Sequence, residues 1–305
     1  MKLHKVMLSD AGETKLLYMG DVPSLQRPLP GVRPTLITCM KFDSAGRLYI
    51  GGQDGLLRIV TFPETFNGNV IEVRVLSAWS SVKSTESTSA VLGLDISEDL
   101  DLVATAHANG NACLHTISDE RSLERKRGGG CGSLIASWNP FTFSSSRRPE
   151  FHARSVAFAS AGTLAEGNLT HSLVVGGGNG EIYTQEISRE GLASAVSSSD
   201  DDEDGGMQPQ HQPVLKPSTI QQIQPSHQGP VLSLATRPGG ILVSAGHDGM
   251  IRVTRLWPTP TALYGLGGYK VWIGSVCVDD DGRRLVSDGR DDLVVMHDFG
   301  DGSDE

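Results

Sequence analysis

The sequence lacks the features that mark membrane, secreted and metal-binding proteins. It has no run of about 18 apolar residues, which is roughly the length that a membrane-spanning helix needs. Its first residues, MKLHKVMLSD, contain neither the apolar core of a secretion signal nor an Arg-rich and Ser-rich transit pattern. The four cysteines have no short paired spacing of the zinc or redox kind. We therefore expect a cytoplasmic or nuclear protein.

Most of the excess negative charge lies in two short segments. The formal net charge is −10, but residues 200–204 supply a run of five acids and the C-terminal tail 300–305 supplies more. The remainder of the chain is close to neutral. Bulk charge therefore argues only weakly against a nucleic-acid partner.

Patterns for catalysis or cofactor binding are also missing. The nine histidines are scattered, and none is paired with a carboxylate or cysteine at the spacing of metal ligands. The Gly-rich stretches 51–55 and 176–180 lie between strand patterns and do not open a helix, unlike a phosphate-binding loop. No nucleophile elbow or pair of carboxylates is visible. We expect no enzyme activity, no cofactor and no metal.

What the sequence does contain is one hairpin pattern that occurs five times. The clearest copy is 243–257, VSAGHDGMIRVTRLW, in which small residues lead to an Asp-Gly turn and then to alternating apolar residues. The other copies are 49–62, 103–117, 173–187 and 285–299. Asp and Asn recur at the turn because their short side chains bond nearby backbone N–H groups. The turn column consists of Asp54, Asn109, Asn179, Asp248 and Asp291.

Each hairpin belongs to a longer unit with one strand before it and, except in the last unit, one after it. Polar low-complexity segments separate some of these strands, and such segments bury too little apolar surface to offset the entropy of ordering. We expect one domain over 1–305 with two insertions and an acidic tail. The insertions are a basic, Gly-rich loop at 118–132 and an acidic, disordered, Ser/Asp/Gln-rich loop at 188–226, and the tail is 300–305.

These units resemble the WD repeat, a family of four-stranded antiparallel blades that form a β-propeller. The fourth unit carries the resemblance best, through His227, 238–240 (PGG) and 242–253. The Trp-Asp pair that names the family is replaced there by Thr254-Arg255. The resemblance implies an all-β propeller and a buried hydrogen-bond network through His227, Ser244 and Asp248.

The number of blades has two interpretations. Residues 16–19 could pair beside 294–297 and complete a five-bladed ring. Alternatively, 6–19 is the second half of a blade whose first half is absent, and the chain is an N-terminally incomplete six- or seven-bladed propeller. We favour the second interpretation.

The resemblance further implies a non-catalytic scaffold that docks partner proteins on one propeller face, within a multi-subunit assembly. In the family, the residue before the turn column points outward from that face. We add two tryptophans because each flanks a strand end, although packing between blades would also explain them. The candidate partner-binding residues are Gln53, Ala108, Gly178, His247, Arg290, Trp257 and Trp272.

Two other functions stay open. One is a chromatin- or RNA-associated propeller that binds basic tails or ribonucleoprotein, and the other, less favoured, is a propeller enzyme. The serines before the acidic run are candidates for an acid-directed kinase, whose phosphate would deepen an existing negative patch. These candidate phosphorylation sites are Ser197, Ser198 and Ser199.

Overall fold

Antiparallel strands make up nearly all of the regular structure. The computed structural model describes residues 2–8, 14–21, 36–61, 74–80, 89–117, 134–143, 152–161, 170–197, 213–279, 281–288 and 293–300. Within them there is one α-helix, α1 (Arg189–Ser197), and single 3-10 turns at Pro140–Phe143 and Pro217–Thr219. The all-β prediction is confirmed.

The strands form a hairpin and five successive antiparallel sheets, which we number as blades 1 to 5. The hairpin pairs β1 (Lys2–Leu8) with β2 (Thr14–Asp21). Blade 1 contains β3 (Ile37–Phe42), β4 (Leu48–Gly52), β5 (Leu56–Thr61) and β6 (Arg74–Ser80). Blade 2 contains β7 (Val91–Ser97), β8 (Leu102–His107), β9 (Ala112–Thr116) and β10 (Leu134–Trp138).

Blades 3 to 5 follow the same plan, in which each strand pairs with the next along the chain. Blade 3 contains β11 (Ala153–Ala161), β12 (Thr170–Gly177), β13 (Ile182–Ile187) and β14 (Gln221–Ile223). Blade 4 contains β15 (Val231–Arg237), β16 (Ile241–Gly246), β17 (Ile251–Arg255) and β18 (Thr261–Leu266). The described strands of blade 5 are β19 (Val276–Val278), β20 (Arg284–Asp288) and β21 (Val294–Asp298).

The five blades are arranged as a β-propeller with their first strands innermost. The first strands contact one another in the order β3, β7, β11, β15, β19. The hydrophobic clusters lie between neighbouring blades, and the largest joins Trp138 of blade 2 to Phe158 and Tyr183 of blade 3. Similar clusters join blades 1 and 2, 3 and 4, and 4 and 5. Each sheet is therefore buried mainly by its neighbours in the ring.

This packing explains the small residues before the turn of the hairpin pattern, in the second strand of the blade. A Cβ added to Gly51 would stand 2.5 Å from Cys39 Sγ and 2.7 Å from a methyl carbon of Val91 in the next blade. A Cβ on Gly176 would meet Ser155 and Val231 in the same way. Protein interiors are close-packed, so only a very small residue fits at these positions.

Two expectations differ from the structure. Strand β2 pairs with β1, and the described partner of β21 is β20, so 16–19 does not lie beside 294–297. The segment 188–226 is also not wholly disordered, since it contains α1, β14 and a bridge between Ile187 and Leu215. A backbone hydrogen bond from Ser188 N–H to the Val214 carbonyl, 2.7 Å long, helps to hold these pieces against blade 3.

The two ends of the described array expose apolar side chains. Met40 and Phe42 on β3 are 53% and 54% exposed, and Val294 and Met296 on β21 are 75% and 63% exposed. The corresponding first strands of blades 2 and 3 are largely buried because another blade packs on each side of them.

Four histidines are buried within the blades: His107, His115, His171 and His227. Burial lowers the pKa of each, because the imidazolium ion loses its hydration in the interior. The pKa of His115 is lowered to about 3, first by burial and second by the neighbouring His107. The folded protein therefore holds these side chains neutral at pH values where the unfolded chain protonates them.

We expect the free energy of unfolding to decrease as the pH falls from 7 to 5. In the folded protein the pKa of each histidine lies below its ordinary value of 6.5. The stability that each neutral histidine contributes is therefore complete above pH 6.5 and is lost as the pH falls towards the folded-state pKa. For His115 alone the loss at pH 5 is about 2 kcal/mol. Urea unfolding at a series of pH values measures this dependence. His115→Leu should flatten it, and an unchanged slope in that variant would contradict the assignment.

Candidate functional site

The first strand of each of blades 1 to 4 has a β-bulge at the same position. The pairing register shifts between Ile37 and Cys39, and between the equivalent residues of β7, β11 and β15. A bulge leaves one residue out of the ladder and redirects its side chain. In blade 5 the same column falls between Ile273 and Ser275, just before β19. The bulge column consists of Thr38, Leu92, Arg154, Leu232 and Gly274.

Both neighbours of each bulge residue are held by packing. The residue before it is apolar and, in blades 2 to 5, has no exposed surface, as Val91 and Ile273 show. The residue after it is Cys, Gly or Ser and lies close to the next blade. A Cβ on Gly93 would come within 2.9 Å of Ser155 Cα, and the Ser155 hydroxyl donates to the Val231 carbonyl at 3.1 Å. The side chain of the bulge residue is therefore directed to the central channel of the propeller.

All five bulge-column residues surround one cavity of ≈ 710 Å³. Pro230, His247 and Trp272 complete its lining. His247 immediately precedes the Asp248 turn, so the cavity opens on the propeller face that carries the hairpin turns. We call the cavity and these eight residues the channel mouth.

The lining of the channel mouth is mostly apolar and contains one charged side chain, Arg154. The Arg154 Nε is buried and has no hydrogen-bond partner among the described residues. A buried donor without a partner costs about 1–3 kcal/mol, so this N–H is available to a ligand that brings an acceptor.

An aromatic pair forms the rim of the mouth on the side of blades 4 and 5. The rings of His247 and Trp272 meet edge to face, with centroids 5.0 Å apart. The backbone N–H of His247 donates to the Pro230 carbonyl at 2.9 Å, which fixes the pair to the start of β15. Trp272 nevertheless remains 50% exposed. A large, partly exposed aromatic side chain is thus held rigidly at the edge of the cavity.

A hydrogen-bond network holds the turn beside His247. His227 Nδ1 lies 2.9 Å from Asp248 Oδ1, and His227 Nε2 lies 2.9 Å from Ser244 Oγ. Since a carboxylate only accepts, Nδ1 carries the imidazole proton and Nε2 accepts from Ser244. Burial acts to raise the pKa of Asp248, but hydrogen bonds from His227 and from the Gln228 N–H outweigh it and lower that pKa.

Blade 5 builds a comparable network from different residues. The Tyr269 hydroxyl lies 2.9 Å from Ser287 Oγ and 2.9 Å from His297 Nε2. Ser287 stands where blade 4 has Ser244, and His297 stands where the family has its tryptophan. In blade 2, Thr105 Oγ1 lies 2.9 Å from His107 Nε2. Thr105, Ser244 and Ser287 share one column, so a hydroxyl at this position is hydrogen-bonded in all three blades, although its partners come from different positions.

The other turn residues act locally. The Asp54 carboxylate accepts from the Leu56 N–H at 3.2 Å and pairs with Arg58. Asn109 and Asn179 each accept, at 3.1 Å, from the backbone N–H two residues later. Asp291 lies outside the described residues.

Only some of the predicted partner-binding residues are exposed on the turn face. Gln53 and His247 are exposed, whereas Ala108 and Gly178 are half-buried. The backbone N–H of each of these four residues donates to the carbonyl just before the first strand of its own blade. Arg290 lies outside the described residues. Of the predicted set, His247 and Trp272 are brought together at the channel mouth.

Trp257 lies at the other end of its blade. It follows β17, and a Cβ on Gly240 would clash with its indole ring. With Leu256 and Pro258 it lines a groove of ≈ 100 Å³ between blades 3 and 4. Trp257 therefore packs between blades, which was the alternative explanation for the two tryptophans. It does not lie on the turn face.

The candidate phosphorylation sites remain a prediction. Ser197 is the last residue of α1, and Ser198 and Ser199 lie outside the described residues.

The sequence interpretation missed the bulge column, although a signal for it is present. When the five first strands are aligned, an apolar residue, a variable residue and a small residue recur in that order, as in Val91-Leu92-Gly93 and Ala153-Arg154-Ser155. The variable residue faces the channel. Simple alternation along a strand does not reveal this, because a bulge changes which face each residue occupies.

The family WD domain, G-beta repeat matches residues 218–254, which cover β14, β15, β16, most of β17 and the His227 network. Together with the arrangement of five blades as a β-propeller, this match supports a WD-repeat propeller. No curated protein matches the sequence. Propellers of this class generally bind other proteins and are typically non-enzymatic.

Two further observations bear on chemistry. Within the part of the chain that the structure describes, no three His, Cys, Asp or Glu side chains come together as metal ligands would. The helix there is too short to cross a membrane.

Asp248→Ala should destabilise the protein far more than Asn179→Ala. The first substitution leaves buried His227 with an unpaired donor and removes bonds to Gln228 and Arg252, for an expected loss of about 2–4 kcal/mol. The second removes the turn bond to the Glu181 N–H, for about 1 kcal/mol. Urea denaturation of both variants compares them. Equal losses would show that the network adds nothing beyond the turn.

Proposed function

We propose that the protein is an interaction scaffold that docks a partner protein at the channel mouth, as one component of a larger cytoplasmic or nuclear assembly. The observation that carries this proposal is the convergence of the five bulge-column residues, His247 and Trp272 on one cavity. Each blade contributes to that cavity, so it exists only in the assembled propeller.

The size and composition of the mouth suit a protein segment. Its volume of ≈ 710 Å³ lies in the range of about 300–1,000 Å³ that is typical of ligand pockets. Trp and Arg are the residues most enriched among those that dominate protein interfaces. Both stand here in a mostly apolar lining, with Trp272 at its edge.

The supporting shell is rigid. The bulge residues project from strands that are paired within their blades and bonded to the next blade, as Ser155 is to Val231 and Ser233 is to Val276. A site on such elements is pre-organised, which reduces the entropy lost on binding.

A nucleic-acid partner is less well supported. Nucleic-acid affinity depends on several Lys and Arg side chains that neutralise phosphates, and the mouth offers only Arg154. The chromatin or RNA alternative would be supported if the experiment below recovered RNA in place of proteins.

Affinity purification of the tagged full chain from cells that express it, followed by mass spectrometry, tests the scaffold function. We expect stoichiometric partner proteins with the wild type and a loss of at least about tenfold with His247→Ala/Trp272→Ala, since truncating an interface anchor of this kind costs about 2 kcal/mol or more.

The matched control is Leu263→Ala/Tyr264→Ala, which truncates two exposed apolar side chains on β18, away from the mouth. This variant should retain the partners. Equal recovery with the mouth variant and the wild type would exclude docking at the mouth, and recovery of RNA in place of proteins would support the alternative.

A further inference from the structure

The channel mouth contains an electrostatic asymmetry. Its one guanidinium, Arg154, projects from blade 3 and has a buried Nε without a hydrogen-bond partner among the described residues. The residues flanking it in the bulge column, Leu92 and Leu232, are apolar. A positive charge is thus placed between two apolar walls, with an unmet donor.

A carboxylate of blade 5, next to the bulge column, is already engaged. Asp288 Oδ1 accepts from the N–H groups of Gly274 and Ser275, each at 2.8 Å. A Cβ on Gly274 would stand 3.1 Å from Asp288 Oδ2, so this carboxylate adjoins the mouth opposite blade 3. The mouth is therefore positive on the side of blade 3 and negative on the side of blade 5.

The other groups around the mouth, among the residues that the structure describes, leave this asymmetry in place. Thr38 Oγ1 bonds to the carbonyl of Val91, and His247 packs against Trp272. Asp95, an acidic residue of the innermost strand β7, pairs with Lys41 and accepts from the Phe158 N–H at 2.7 Å. Its charge is compensated within the ring of first strands.

We propose that the channel mouth binds an extended partner segment that carries one carboxylate side chain, Asp or Glu, beside an apolar residue. The carboxylate pairs with Arg154, and the apolar side chain lies against Leu92, Leu232 and Trp272. The proposal rests on the docking function above and adds the chemistry of the partner.

A carboxylate fits better than a phosphate. A phosphorylated side chain carries about −1.5 to −2 charges and is usually held by a cluster of arginines. A single guanidinium matches the single charge of a carboxylate and can bind its two oxygens side by side. The carboxylate of Asp288 across the mouth adds repulsion for a second negative charge and orients the acidic residue towards blade 3.

A display selection tests this inference directly. The purified full chain is exposed to random heptapeptides, and the selected sequences are determined. We expect enrichment of Asp or Glu next to a large apolar residue. One selected peptide is then synthesised with Glu, Gln or phosphoserine at the acidic position, and its binding is measured by fluorescence polarisation.

Three variants identify the group that pairs with the acid. Arg154→Gln should weaken binding of the Glu peptide at least about tenfold, as expected for the loss of one partner of a desolvated charge pair. Arg154→Lys, which keeps the charge but not the planar fork, should fall between Arg154→Gln and the wild type. Arg255→Gln removes an exposed arginine at the end of β17, away from the mouth, and should bind like the wild type. Thermal melting checks that each variant is folded.

The results separate the two proposals. The carboxylate inference is overturned if selection enriches no acidic residue, if Arg154→Gln binds the Glu peptide as tightly as the wild type, or if the phosphoserine peptide binds more tightly than the Glu peptide. Binding that is lost in His247→Ala/Trp272→Ala but kept in Arg154→Gln would retain docking at the mouth and remove only the role of Arg154.

Discussion

The structure depends on the close approach of the first strands of neighbouring blades. These strands belong to different sheets, so small residues and hydroxyl groups must hold them together. Gly93 lies against Ser155, the Ser155 hydroxyl donates to Val231 O, and the Thr236 hydroxyl donates to Phe158 O at 2.9 Å. Because the residues on both sides of each bulge are committed to this packing, the bulge residues are left to line the channel.

The blades meet the same structural requirement with different residues. Blade 4 fixes its turn through His227, Ser244 and Asp248, whereas blade 5 joins Tyr269, Ser287 and His297. A hydrogen-bond network constrains the placement of donors and acceptors more than the identity of the side chains that carry them. The match to the family model spans residues 218–254, where the His227 network lies, and the blade architecture extends well beyond them.

The topology also separates the two faces of the propeller. The described turns between the second and third strands are tight, and the blade 4 turn adjoins the channel mouth through His247. The connections between the third and fourth strands, including the one that begins with α1, start at the opposite end of each blade. The mouth and the starts of these connections therefore lie at different ends of the same sheets. Trp257 illustrates this separation. The sequence shows that it flanks a strand end, but it lies in the connection between the third and fourth strands and therefore away from the channel mouth.

The sequence by itself determined the blade plan. Alternating apolar residues and Asp-Gly turns specify hairpins locally, and the columns of Asp54, Asn109, Asn179 and Asp248 mark the repeats without any knowledge of distant contacts. It also indicated the His227 network, because the residue types and spacing are distinctive. Only the tertiary structure decided which side chains meet at the channel. Arg154 and Leu232 are far apart in sequence, and each faces the axis because a bulge, fixed by contact with the next blade, breaks the alternation that the sequence alone would predict.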